Sequence, residues 1–131
     1  MHKVAVFLIL SLLIAEPTTA MATEAYTGND LLNDCGTSAD DTRMEFCFGL
    51  VSGAVHGVNF AVFDAIISYD PESGQNPAVF RNKYATCIPE EVTIGQLRDI
   101  VVKYLNDHPS ERHQYAVGLI LTAVGKTFAC F

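Results

Sequence analysis

The sequence predicts an all-α fold, a small bundle of about four to five helices braced by two disulfides. Apolar residues recur at helical spacing in separate segments, and no stretch alternates as a half-buried strand does. Capping residues and prolines stand where those segments begin and end. Cys35, Cys47, Cys87 and Cys130 each fall near an expected helix end rather than on an apolar face. That placement suits structural staples, because a bridge there closes a hairpin without disturbing packed ridges.

The chain opens on a leader. His2 and Lys3 make a short polar or basic start, residues 4–15 form a continuous apolar run, and Ala20-Met21-Ala22 supplies a small-x-small cleavage pattern. This is the layout of a secretory signal peptide, so residues 1–22 are read as signal peptide and residues 23–131 as one domain. The apolar run is shorter than the roughly 20 residues a membrane span needs, and the polar segment Glu16-Pro17-Thr18-Thr19 follows it. An exported protein, soluble after cleavage in a bacterial periplasm or an extracellular space, is expected, with its cysteines oxidised.

Charge narrows the partners. The formal net charge is −7, and losing Lys3 and Glu16 with the leader leaves it unchanged. A chain of that sign is repelled by nucleic acid and by anionic membrane surfaces. A basic protein partner is compatible with it.

The elements follow in order. Thr27 can cap a short first helix through Leu31 and Leu32, which Gly36 ends after Cys35. Thr42 and Glu45 have the T-x-x-E spacing of a capping box at the head of a long helix running to about Ser68. Its apolar positions Met44, Cys47, Phe48, Val51, Val55, Val58, Val62 and Ile66 recur at helical spacing. On another face Gly49, Gly53, Gly57 and Ala61 repeat every fourth residue, although each glycine costs a helix about 1 kcal/mol relative to alanine. Such a row makes a smooth groove for a close helix neighbour, either inside the monomer or across a two-fold interface. Internal packing is the expectation.

Pro71, Gly74, Pro77 and Pro89 break the helical pattern over residues 70–89 and predict a long loop that Phe80, Tyr84 and Cys87 can pin. Thr93 and Gln96 form a second capping box, opening a helix with Ile94, Leu97, Ile100, Val101, Tyr104 and Leu105 inward. It should stop near His108, which Pro109 pushes out of helical geometry. Ser110 is placed to cap the last helix, whose inward stripe is Ala116, Leu119, Ile120, Ala123, Val124 and Phe128. In an antiparallel hairpin the start of the third helix lies beside the end of the fourth. Cys35 with Cys47 and Cys87 with Cys130 is therefore the first choice of pairing, Cys35 with Cys87 and Cys47 with Cys130 the alternative.

Reactive chemistry is hard to assemble from these residues. His56 lacks a carboxylate at i+3 or i+4, where Asn59 and Phe60 stand, and His108 and His113 flank a proline at a helix junction. No C-x-x-C spacing suggests zinc. The pairs Asp40-Asp41 and Glu90-Glu91 precede helix starts, which favours dipole complementation over general acid and base work. There is no phosphate-cradling glycine loop and no G-x-S-x-G elbow. Neither a cofactor nor a metal nor a catalytic residue is expected.

The run Cys87-Ile88-Pro89 leads into Val92-Thr93-Ile94-Gly95-Gln96-Leu97-Arg98-Asp99 and Val101-Val102-Lys103-Tyr104-Leu105. Then come His108-Pro109, Arg112-His113 and a closing Phe128-Ala129-Cys130, with Gly28-Asn29-Asp30-Leu31-Leu32, Cys35, Cys47-Phe48-Gly49 and Gly53 upstream. This order of cysteines, caps and helix seams resembles the Rap/Tai type of immunity protein over nearly all of residues 23–131. The resemblance implies a periplasmic, dimeric, non-enzymatic protein. Such a protein protects its producer from type VI secretion effectors that attack peptidoglycan, typically by occluding an amidase active site.

An inhibitor of that kind needs a rigid projection and a charge that steers its target. Loop physics, independently of the resemblance, singles out residues 69–84 as that projection. Asp70, Glu72, Gln75 and Asn76 are its polar candidates for partner binding and Tyr69, Phe80 and Tyr84 its aromatic anchors. Two other classes fit a small exported helical protein, a periplasmic stress protein or chaperone and a small hydrolase using a histidine. A hydrolase requires convergent His, Asp or Glu groups in a cleft, and a chaperone requires exposed apolar surface.

Overall fold

A single carboxylate secures the first helix. The amide and hydroxyl of Thr27 both donate to Asp30, at 2.8 and 2.7 Å, which fixes the turn at the helix head and holds the Asp30 carboxyl below its ordinary range. The computed structural model describes residues 24–74, 76, 78, 79, 81 and 85–130, so the expected signal peptide lies outside the described residues. Within them α1 spans Gly28–Cys35, α2 Asp41–Ile67, α3 Ile94–Asp107 and α4 Ala116–Thr127. Single 3-10 turns at Pro71–Ser73 and Pro109–Glu111 punctuate the connections. The fold is the expected small all-α bundle with two disulfides.

The head of α2 differs from expectation. Asp40, not Thr42, is the cap: its Oδ1 accepts from the Arg43 amide at 2.9 Å, while its Oδ2 takes the Arg43 Nε at 3.1 Å. A carboxylate meets both the free amides and the positive end of the helix, and Arg43 adds an ion pair that a threonine cannot make. The box at the head of α3 forms as the sequence predicts, with the Gln96 amide on the Thr93 hydroxyl and the Thr93 amide on the Gln96 side chain.

The junction after α3 is a second correction. Ser110 caps nothing; it lies in the 3-10 turn, and α4 begins only at Ala116. The intervening carbonyls are engaged by α1, since the Gly28 amide donates to Gln114 O and the Asn29 amide to Arg112 O, both at 3.0 Å. Residues held in that role cannot also continue a helix. The approach is close: a Cβ on Gly28 would stand 2.5 Å from Leu119 Cδ1 and 3.0 Å from the Arg112 backbone, so a larger residue would have to push the buried Leu119 aside.

One core joins all four helices: Leu31 and Cys35 from α1, Cys47, Val51 and Val55 from α2, Leu97, Val101, Tyr104 and Leu105 from α3, and the Ala116 to Val124 stripe of α4. Ile94 and Ile66, expected inward, are exposed at helix ends. The disulfides pair in the preferred way, Cys35–Cys47 and Cys87–Cys130. The first of them is not peripheral as anticipated, for Cys35 and Cys47 are both 0% exposed and pack as core residues.

The glycine row of α2 also departs from expectation. α1, α3 and α4 all pack on the other side of this helix, and Gly49, Gly53, Gly57 and Ala61 are exposed. A Cβ added at any of the three glycines would meet nothing within 4 Å. The row is therefore not an internal seam. Apolar residues occupy α2 nearly all round, giving an 18-residue window of mean hydropathy 1.6 of which 22% is buried. By length and composition alone that helix could cross a membrane; here its inner face is core.

Candidate functional site

The connection from α2 to α3 is held firmly at its base. Asn59, on the second half of α2, accepts at Oδ1 from the Thr86 amide (3.2 Å) and hydroxyl (3.3 Å) and donates through Nδ2 to the Thr86 carbonyl (3.5 Å). Thr86 is only 8% exposed, so these bonds satisfy a buried polar residue. It also bridges Ala129, and next to it the Cys87 amide donates to Phe128 O at 2.9 Å beside the Cys87–Cys130 disulfide. One strand of the loop is thus clipped at once to α2 and to the chain's last turn.

From that base the chain projects through local turns. Asp70 caps the turn Pro71–Ser73 by accepting from the Glu72 amide at 2.9 Å, and Gly74 follows at φ +69°, the left-handed geometry that suits glycine. Asn76 then accepts from the Ala78 amide at 2.9 Å through its side chain and from the Val79 amide at 3.0 Å through its carbonyl. Such Asx and 3-10 turns stiffen a loop without a core of its own. Tyr69, Asp70, Glu72 and Asn76 are all exposed on this projection. Gln75, Phe80 and Tyr84 lie outside the described residues. The described members share one exposed loop.

Sequence reasoning missed two contributors. Asn59 had been noted only for not being a carboxylate; a polar residue in an apolar helix is itself the signal, because it must find a partner. The second is the apolar surface leading into the loop, formed by Phe60, Phe63 and Ile67, which are 70, 57 and 64% exposed. Their spacing could have been read from the sequence. Which face was covered could not.

Titratable groups elsewhere serve the scaffold. Tyr104 donates to Glu111 at 2.6 Å, which raises its pKa, and lies stacked 4.1 Å from the ring of His108. Burial and a 2.6 Å bond to Asp34 push the Tyr26 phenol well above its ordinary range. His56 and His113 are exposed. Among the described residues no group of three or more His, Cys, Asp or Glu side chains could hold a metal ion, and no cysteine is free.

A family model described as Rap1a immunity proteins matches residues 27–130. The matched span takes in all four helices, the projecting loop and both disulfides. No curated protein and no solved structure matches the chain.

Proposed function

We propose that this chain, which belongs to the Rap1a immunity protein family, protects its producer in the periplasm by binding a type VI secretion effector, a peptidoglycan amidase, and occluding its active site. The observation that carries this reading is the projecting loop: a polar, exposed tip on a base fixed to α2 and to Phe128. Occlusion requires shape and no reactive group, and a pre-stiffened loop loses little conformational freedom when it enters a cleft. The net charge of −7 favours a basic partner and would speed encounter with it. Both disulfides accord with an oxidising compartment.

The test is reconstitution with the secreted amidase encoded beside this protein. The mature chain should form a stable complex, abolish peptidoglycan digestion and rescue cells that receive the amidase in their periplasm. Glu72→Lys and Val79→Asp, both at exposed positions, should weaken the complex by about 10-fold or more while leaving the fold intact. No complex and no protection with any neighbouring amidase would end the assignment. The uncovered apolar face of α2 is the one feature that favours a chaperone instead. That reading requires the mature chain to suppress aggregation of unrelated unfolded proteins, which an inhibitor does not do.

A further inference from the structure

The two disulfides sit in different surroundings. Cys35 and Cys47 are both 0% exposed and belong to the core, and Arg98 from α3 adds a 2.8 Å bond to the Cys35 carbonyl that ties this bridge to a third helix. Cys87 is exposed and Cys130 half-buried. Thiol–disulfide exchange begins when a thiolate reaches one sulfur of the bridge, so access decides which bridge reacts. An external thiol meets Cys87 in the folded protein. It meets Cys35 or Cys47 only when α1 and α2 have come apart.

The accessible bridge is also the one at the base of the projecting loop. At Phe128 the backbone leaves helical geometry (φ −125°, ψ 53°), and Ala129 beyond it is exposed. These two residues hold the loop through the Thr86–Ala129 bridge and the 2.9 Å bond from the Cys87 amide to Phe128 O. A pairing of so few residues is marginal by itself in water, and the covalent link between Cys87 and Cys130 keeps the two segments side by side. That link closes a separation of 43 residues, so opening it returns a long stretch of chain to conformational freedom. Thr86 then retains the Asn59 side chain, whose three bonds of 3.2, 3.3 and 3.5 Å lie at the long end of the hydrogen-bond range.

The helices do not depend on this bridge. The core draws on all four of them without Cys87 or Cys130, and Cys35–Cys47 continues to join α1 to α2. Opening the exposed bridge is therefore a local event at the loop base, of the kind that precedes global unfolding.

We infer that the Cys87–Cys130 bridge is a redox latch on the projecting loop, opened in the folded protein by a dithiol reductant and closed again by oxidation. A thiolate of the reductant attacks Cys87 Sγ. A mixed disulfide forms there, the Cys87–Cys130 bond breaks, and Cys130 leaves as a thiolate that takes up a proton. The second thiolate of the reductant then attacks the reductant's own sulfur in the mixed disulfide and releases Cys87, which is protonated in turn. Two electrons and two protons have passed to the protein, and the reductant is left as a disulfide. With the latch closed the loop is stiff before it meets a partner. With the latch open it must be ordered on binding, which weakens the complex, a consequence that rests on the inhibitor reading.

The experiment exposes the exported, oxidised chain to increasing dithiothreitol, traps free thiols with iodoacetamide and locates them by mass spectrometry. Cys87 and Cys130 should be alkylated at least about 100-fold faster than Cys35 and Cys47, with the helical circular dichroism retained. Before trapping, the singly reduced chain should be cleaved by protease about 10-fold faster or more, with the new cuts confined to residues 69–85, and reoxidation should restore resistance. Cys87→Ser combined with Cys130→Ser should be cleaved like the open form, ignore dithiothreitol and, with its helices intact, bind the neighbouring amidase about 10-fold more weakly than the oxidised chain. Both bridges opening together, helix loss with the first alkylation, unchanged cleavage of the loop, or equal amidase affinity of the serine pair and the oxidised chain would each overturn the latch. An oxidised chain that binds no amidase removes the inhibitor reading instead, and alkylation and cleavage still decide whether the bridge opens and frees the loop.

Discussion

The two disulfides should respond differently to the same chemical replacement. Loop closure alone favours the longer bridge: separations of 12 and 43 residues correspond to about 3 and about 4 kcal/mol. Burial works the other way. Cys35 and Cys47 are 0% exposed, so replacing both by alanine also gives up the burial of two sulfurs, on the order of 1 kcal/mol each. Cys87 is exposed and Cys130 half-buried, so that contribution nearly vanishes there. The two alanine pairs should thus cost similar amounts, about 4 to 5 kcal/mol, despite very different loops.

Serine separates them. At the buried pair each hydroxyl must be desolvated, adding about 1–3 kcal/mol where no partner is within reach, so the serine pair should be at least about 2 kcal/mol worse than the alanine pair. At Cys87 and Cys130 the same comparison should differ by no more than about 0.5 kcal/mol. Urea unfolding of the four double variants measures both gaps, and losses near 4 kcal/mol should lower the melting temperature by roughly 20 °C in a domain of this size. Equal serine-minus-alanine gaps at the two sites would refute the placement of Cys35 and Cys47 in the core.

Three further outcomes follow from the contacts. Asn59→Ala should cost about 1–2 kcal/mol and speed proteolysis between residues 69 and 85 with both disulfides intact; unchanged resistance would show that the loop base is held by other means. Asp40→Ala should destabilise by about 1 kcal/mol and Thr42→Ala by much less, a ranking that denaturant midpoints can reverse. Asp30, Asp40 and Asp107 are held below 3.8 chiefly by bonds from Thr27, Arg43 and Lys103, so the unfolded chain takes up protons first as pH falls. Stability should therefore be full above about pH 5 and decline below about pH 4. Tyr26 and Tyr104 are raised above 10.0; the folded state keeps those protons longer, and stability should fall again above about pH 10.

Most of the scaffold was legible because it obeys local rules. The Thr93 and Gln96 box, the stop before Pro109 and the inward stripes of α3 and α4 each depend on residues a few positions apart. The errors arose where a distant segment decided the outcome. Ser110 had the right chemistry for a cap, but α1 engages the carbonyls of Arg112 and Gln114. Thr42 had the right partner in Glu45, yet Asp40 with Arg43 offered a stronger cap two residues earlier. For α2 the periodicity grouped Gly49, Gly53, Gly57 and Ala61 on one face and was silent on whether anything covered it, because a helix apolar all round has no polar side to mark solvent. The candidate loop was legible as a break in pattern. Its anchoring through Asn59 was not, since that contact joins residues 27 apart in sequence.

Departures from local rules concentrate on one side of one helix, and that concentration bears on function. Core positions, caps and bridges of this chain agree with one another, as expected for a sequence that specifies a single fold. Outward glycines in a long helix and solvent-facing phenylalanines agree with nothing inside the monomer. Because α2 carries this face along its length and delivers the polar loop at its end, one element presents two surfaces of opposite character. The apolar face is unlike a surface evolved only for solubility, whereas the polar and acidic tip suits a partner met from solution. A mutation at Glu72 or Val79 should thus act on the foreign partner and leave the core, caps and bridges as they are.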